Sequence, residues 1–352
     1  MKICLLGDTH IGARNDSALF HDHFEQFYTN TFFPYLEQHN ILHVVQLGDL
    51  FDRRKYINFQ TLKRGREYLF DRLNKDYTTW VLVGNHDTYY KNTNDVNSLD
   101  LLLPEYQQIK AVNTPTEVDF EGVTFLLVPW ICDDNEVDVI NAITTSKAAV
   151  IAGHFEIRGF EMQRGMLNDE GLEQEVFTNH ELVISGHFHH KSVNRNIQYL
   201  GTPYELTWSD YDDPKGFHVY DTETRQLEFV PNPERMFFKL FYNDQGQTSE
   251  YFKQIELPEL HGKIVKVIVK NKDNPICFDA FIDRLDRSGV ADLQVVDDHL
   301  NLDLEGDEDI VNEAEDTITI LKKYIEQVDV NVDRKQLNKL MQQLYEEALS
   351  VE

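Results

Sequence analysis

The chain has 352 residues, 41% hydrophobic and 27% charged, a length that predicts two domains with an appendage and a composition that excludes disordered, collagen-like and disulfide-scaffold chains. Its 33 Lys and Arg face 61 Asp and Glu, a net charge of -28. That is the wrong sign for coating nucleic acid nonspecifically, so a phosphate-bearing substrate needs bound cations or a local basic patch.

From residue 1 to 231, short β-rich runs alternate with helical stretches. Lys2 to Leu6, His43 to Leu47, Trp80 to Val83, Val123 to Val128, Ala148 to Ala152 and Leu182 to Ser185 read as buried strands. Between the early ones, Phe20, Phe24, Phe27 and Tyr28, then Leu62, Tyr68, Leu69 and Leu73, keep helical spacing. A layered α/β domain is predicted over 1–231. Pro231-Asn232-Pro233 ends the pattern. Beyond it, Phe237 to Tyr242, Lys263 to Lys270 and Val290 to Val296 read as strands and Phe278 to Arg287 as a helix, a small α+β domain over 232–296.

Residues 297–352 hold 16 acidic and 5 basic residues. The first part, 297–309, reads as an acidic linker, and 310–352 as two amphipathic helices. One stripe runs from Val311 to Val328; the other is Leu337, Leu340, Met341, Leu344 and Tyr345. Such stripes serve equally to pack on the second domain or to bind a partner. Cys4, Cys132 and Cys277 form no C-x-x-C pair, and only four apolar residues stand between Lys2 and Gly7. With no run near the roughly 18 apolar residues of a membrane span, a reducing, cytoplasmic setting is expected, without membrane attachment.

The chemistry gathers at strand ends. Gly7-Asp8-Thr9-His10, Gly48-Asp49, Gly84-Asn85-His86-Asp87, Gly153-His154 and Gly186-His187-Phe188-His189 each follow an apolar run, the position where α/β sheets present side chains to a shared crevice. Asp8, His10, Asp49, Asn85, His154, His187 and His189 supply oxygen and nitrogen donors without a thiolate, suited to manganese, iron or zinc. Seven donors exceed one ion but fit two if Asp49 bridges: Asp8, His10, Asp49 and His189 on one, Asp49, Asn85, His154 and His187 on the other. Two divalent ions against two carboxylates leave a positive site for an anion. The reaction expected is phosphoester hydrolysis, by a water activated between the ions with Asp49 as the shared ligand. His86 faces the same crevice as a donor to the phosphoryl or leaving oxygen, and Asp87 either orients it or closes the turn.

In this order, D-x-H, G-D-x-x-D (Gly48 to Asp52), G-N-H-D, G-H and G-H-x-H resemble the calcineurin-like metallophosphoesterases over about 230 residues. The resemblance implies a four-layer α/β/β/α sandwich and the ligand set given above. Gly48-Asp49-Leu50-Phe51-Asp52, Tyr199 to Tyr204 and Lys215-Gly216-Phe217 resemble, within that superfamily, the SbcD-type DNA repair and recombination nucleases, as does the smaller domain after 231. That group implies a dimeric exonuclease and endonuclease dependent on manganese, with magnesium as the alternative. It also implies an SMC-like ATPase partner, a second domain that caps the site and guides DNA, and C-terminal helices that hold the partner through Leu337, Leu340, Met341 and Leu344. Asp52 departs from it, standing where several cellular members carry a histidine tied to nuclease selectivity.

The chain's own sign of DNA is a stretch beside Asp49: Arg53, Arg54, Lys55, Lys63, Arg64 and Arg66 against the single acid Asp52, a local +5. Such a patch would neutralise phosphates and make binding salt-dependent; otherwise it is a solvated helix face. A metal-dependent DNA nuclease is the preferred reading, a phosphatase or nucleotide phosphodiesterase the runner-up, and a non-catalytic scaffold the reading from another class.

Overall fold

The computed structural model describes residues 1–163 and 166–297. Two six-stranded sheets form the larger part. The first runs, edge to edge, Gln226–Pro231, Gly216–Asp221, Lys2–Leu6, His43–Gln46, Thr78–Leu82 and Ile109–Val112. Its last four strands are parallel and its first two antiparallel. The second runs Ser192–Asn194, Ile197–Tyr199, Leu182–Gly186, Val150–His154, Val123–Val128 and Thr116–Phe120, with a parallel centre and antiparallel edges.

Strand alternation builds the layers. Ile3, Leu5, Val45 and Leu82 point into a core shared with Phe125, Leu127, Val150, Ala152 and Ile184 of the other sheet. Their neighbours Cys4, Leu6, Val44 and Val81 point the opposite way, into a core with Phe24, Phe27, Tyr28, Phe32 and Leu69 of the helical segments. On the far side of the second sheet, Leu126, Ile151 and Val183 meet Val139 and Ile143 of helix Glu136–Thr145. Period-2 side chains on two stacked sheets therefore give three cores and four layers, α/β/β/α. The aromatic centre is tight: Phe24 stacks on Tyr204 with ring centroids 4.0 Å apart, so Phe24→Ala should cost about 3–5 kcal/mol.

Parallel strands need long crossovers, and those crossovers are the helical segments with the expected 3-4 spacing. Ala18–Phe27 begins the first; Asn58 caps the second, Phe59–Gly65, accepting from the Gln60 amide at 2.8 Å. The strand expected over Ala148 to Ala152 is Val150–His154 instead, which makes His154 its last residue. Strands Ile109–Val112, Thr116–Phe120, Ser192–Asn194 and Ile197–Tyr199 escaped the sequence reading because they are short or alternate with exposed polar residues.

A smaller sheet follows, Phe237–Asn243, Ile264–Asn271 and Asp292–Asp297, all parallel, with crossover helices Ser249–Gln254 and Pro275–Asp286. Tyr242, Phe252, Val267 and Phe281 make its own core. Its first residue, Phe237, belongs to the larger unit, with its ring 4.8 Å from that of Trp208. Buried Glu205 fixes this junction by accepting from the amides of Met236 (2.6 Å) and Phe237 (2.9 Å). Asp297, the first residue of the expected acidic linker, ends the third strand; the rest of that linker, the two amphipathic helices and the partner-facing Leu337, Leu340, Met341 and Leu344 lie outside the described residues.

Candidate metal centre

The parallel strands of both sheets deliver their C-terminal ends to one edge. Asp8 and His10 leave Lys2–Leu6, Asp49 leaves His43–Gln46, Asn85 and His86 leave Thr78–Leu82, His154 ends Val150–His154, and His187 and His189 leave Leu182–Gly186. Two glycines make the approach possible. A Cβ on Gly84 would stand 2.1 Å from the Asp49 amide nitrogen, and one on Gly186 would stand 2.4 Å from Asp8 Oδ1. His10 (φ 43°), Asp49 (φ 52°) and His187 (φ 83°) sit in the left-handed region that side chains other than glycine's avoid; such backbone strain concentrates at functional sites.

The seven donors form two groups around one carboxylate. Asp8, His10 and His189 bring ligand atoms within 4.8 Å of one another, and so do Asp49, His154 and His187. In the first group, Nε2 of His10 and Nε2 of His189 are 3.1 Å apart. In the second, Asn85 Oδ1 lies 2.9 Å from His154 Nε2 and 2.9 Å from His187 Nδ1. Asp49 Oδ2 faces both, 3.7 Å from His10 Nε2 and 3.5 Å from His154 Nε2. The outer atoms are also held: His154 Nδ1 meets the Leu47 carbonyl at 2.7 Å, and both Asp8 oxygens accept from the His187 amide, at 3.1 and 2.8 Å.

The cluster packs buried imidazoles against two carboxylates and an amide oxygen, an environment that favours positive charge on some of the rings. Burial opposes the charged form of His154, but Asp49 and Asp8 outweigh it and raise the ring to about 9. His10 likewise rises to about 9, against burial, through Asp52, Asp49 and Asp8. Burial raises Asp8 to about 7, with His154 pulling the other way. His187 falls to about 3 through burial and the neighbouring His154. A donor set of imidazoles, one amide and two carboxylates, one of them shared, fits divalent cations, which satisfy every lone pair at once.

Neighbours missed or left open in the sequence complete the site. Asp52 Oδ1 lies 3.2 Å from His10 Nδ1, while the Asp52 carbonyl meets His86 Nδ1. Asp87 closes the turn rather than orienting His86: its carboxylate accepts from the amides of Gly84 (2.9 Å), Leu50 (3.2 Å) and Phe51 (3.2 Å). The His86 amide donates to Asp49 Oδ1 at 2.7 Å, and its ring stands edge-on to His10 at 4.9 Å. Trp130 packs 5.1 Å from the His187 ring. An aromatic following the strand Val123–Val128 was the only signal for it.

The basic stretch is dispersed. Arg53 pairs with Asp16 at 3.7 Å, Lys63 with Glu67 at 3.7 Å, Arg64 with Asp22 at 2.8 Å and Glu25 at 2.7 Å, and Arg66 with Glu105. The expected +5 is therefore largely neutralised, mostly by acids from other parts of the chain. Arg54 and Lys55 instead line an apolar cavity of about 230 Å³ with Tyr56, Phe59, Leu62 and Leu101, against the Asp87 turn.

Comparison with known proteins identifies the family. Residues 1–191 match the calcineurin-like phosphoesterase family. The chain is 33% identical over 355 residues to exonuclease subunit 1 of Enterobacteria phage T4, covering 99% of both chains. It is 24% identical over 270 residues to the SbcD component of the SbcCD nuclease of Staphylococcus epidermidis, covering 66% of this chain and 69% of that one. It is 27% identical over 210 residues to a putative phosphoesterase, 078R, of Invertebrate iridescent virus 3, covering 57% of each. Sandwich, strand-end donors and family match together place the chain among the calcineurin-like phosphoesterases, metal-dependent hydrolases of phosphoesters.

Proposed function

We propose that this chain is the nuclease subunit of a DNA recombination and repair complex, hydrolysing DNA phosphodiesters with two divalent ions. The observation that carries the reading is Asp49, one carboxylate facing two separate donor groups, the arrangement a pair of ions shares across a reacting phosphate. Asp8, His10, Asp49 and His189 would hold one ion, and Asp49, Asn85, His154 and His187 the other, manganese or alternatively magnesium. Bound ions would supply Lewis-acid charge on the phosphoryl oxygens and an activated water.

The chain's own residues do the rest. His86 keeps a proton on Nδ1 against the Asp52 carbonyl, which turns Nε2 to the crevice. Burial lowers its proton affinity, so the ring is neutral until an anionic phosphate enters and draws a proton to Nε2. It can then donate that proton to the leaving oxygen. Asp52, against both His10 and His86, sets the spacing between donor group and acid and is where the balance of exonuclease and endonuclease action would be tuned.

The full-length likeness to a phage exonuclease subunit, and the partial likeness to the SbcD component of a bacterial nuclease, support DNA as substrate and an SMC-like ATPase as partner. In this reading the C-terminal helices dock that partner, the unit over 232–296 caps the site, and host cytoplasm is the setting. Arg54 and Lys55, which form none of the ion pairs that occupy the other cations of the basic stretch, would be the ones to meet DNA phosphates. A homodimer would bury Phe59 (90% exposed) and Leu101 (69% exposed) on the same face. The test compares hydrolysis of a labelled linear duplex with that of a small phosphomonoester, each titrated with manganese. Cleavage of the duplex is expected. Turnover of the monoester alone would replace the nuclease with a phosphatase.

A further inference from the structure

Behind His189 lies a second cluster of ionisable side chains that the reaction does not use. His190, Asp210 and Asp213 bring ligand atoms within 4.8 Å of one another, which taken alone reads as a third cation site. The cluster already contains a cation. Lys215 Nζ stands 2.6 Å from Asp210 Oδ1 and 2.8 Å from Asp213 Oδ2, and it donates to the His189 carbonyl at 2.8 Å. Three oxygens surround an ammonium that has three protons. Asp213 Oδ2 also meets His190 Nδ1 at 2.8 Å.

Every support of this ammonium is itself anchored. Lys215 is 5% exposed and Asp210 wholly buried. Asp210 Oδ2 accepts from the amides of Leu206 (2.8 Å) and Thr207 (2.9 Å), locking the carboxylate into the short turn Trp208–Asp210. The Lys215 carbonyl accepts from the Asn232 amide at 2.8 Å, and strand Gly216–Asp221 begins at the next residue. The side chain thus reaches from a rigid strand end to the backbone of a metal-donor loop. Fixing the carbonyl of residue 189 fixes the direction of its Cα–Cβ bond, and the ring at the far end faces His10 at 3.1 Å.

We infer that Lys215 is a positioning residue: its ammonium, clamped by Asp210 and Asp213, holds the His189 backbone so that the imidazole meets His10 in the first donor group. This rests on the reading that the group holds an ion. A buried charge with three oxygen partners is a costly feature unless its geometry is used, and here the third partner belongs to the donor loop. Outer contacts of this kind orient metal ligands, and losing one lowers metal affinity by roughly 10- to 100-fold.

The experiment is a manganese titration of the full chain by calorimetry, with thermal unfolding recorded for each protein. The wild type should bind two ions. Lys215→Met should weaken one ion by roughly 10- to 100-fold and leave the other unmoved. Because that variant leaves the buried Asp210 carboxylate without its cation, while Asp213 keeps His190, the double variant Lys215→Met with Asp210→Asn is measured beside it. It should remain folded and still be weak for one ion, since in both variants the His189 carbonyl loses the ammonium and keeps only the Thr202 amide, at 3.2 Å. Wild-type affinity for both ions in the double variant would overturn the inference, reducing Lys215 to a neutraliser of carboxylates. Fewer than two ions on the wild type would instead overturn the two-ion reading of the site.

Discussion

The donor loops and the basic stretch behave in opposite ways. Residues 8, 49, 85, 154, 187 and 189 are far apart in the chain and meet within a few ångströms. Arg53 to Arg66 are neighbours in the chain, yet Arg53, Arg64 and Arg66 turn to acids contributed from elsewhere and Lys63 to Glu67 one helical turn on. Parallel strands fix where a side chain emerges, since each strand end must arrive at the same edge. A helix spreads its side chains around an axis, and a chain with 61 acids against 33 Lys and Arg offers a partner to most cations it exposes. Proximity in sequence is thus a poorer guide to a site than a repeated position within a fold.

The largest effect that could break this contrast is at its centre. Asp49→Asn should remove at least one of two bound manganese ions and lower duplex cleavage on the order of 10³-fold, beyond the 10- to 100-fold that an outer contact costs. Full metal content with near-normal turnover would end the bridging role. Next, His86→Ala should lower the turnover number by about 10²-fold with both ions retained, the usual scale for a general acid; a loss of metal in parallel would make His86 a structural residue.

A third measurement sharpens the contrast with a histidine outside the site. His23 is buried with neither ring nitrogen hydrogen-bonded among the described residues, and burial, helped by Lys263, lowers it to about 3. The unfolded chain therefore takes up its proton first as pH falls, so the stability this ring supplies is present above about 6.5 and is lost progressively toward 3. Between pH 8 and pH 5 that loss amounts to about 2 kcal/mol. His23→Leu should flatten the acid limb of a denaturant-monitored stability curve by that amount, and an unchanged limb would reject the assignment. The smallest effect concerns the cations. Lys55→Ala should reduce the salt dependence of DNA binding by about one counterion, whereas Arg64→Ala, already paired with Asp22 and Glu25, should leave the slope unchanged.

The strands that deliver donors were legible because each is an apolar run stopped by Gly and a polar pair. The antiparallel strands Gly216–Asp221 and Gln226–Pro231 were not, because their partners come from the other end of the domain and the second shows its polar residues to solvent. Within the site, the donors could be named from their repetition. The loop-holding role of Asp87 and the contacts of Asp52 and Lys215 could not, because a carboxylate accepting backbone amides, or an ammonium on a carbonyl, has no periodic signature. Their effect depends on which backbone atoms the tertiary fold brings within hydrogen-bonding reach.

The left-handed backbone at His10, Asp49 and His187 has an evolutionary edge to it. Each such residue costs about 1–3 kcal/mol, against a net folding free energy of only about 5–15 kcal/mol for an ordinary domain. Drift alone would favour glycine at these three positions, which adopts the same angles freely. The imidazoles and the carboxylate therefore persist only while selection acts on turnover, and a lineage released from that demand should become more heat-tolerant as its chemistry decays.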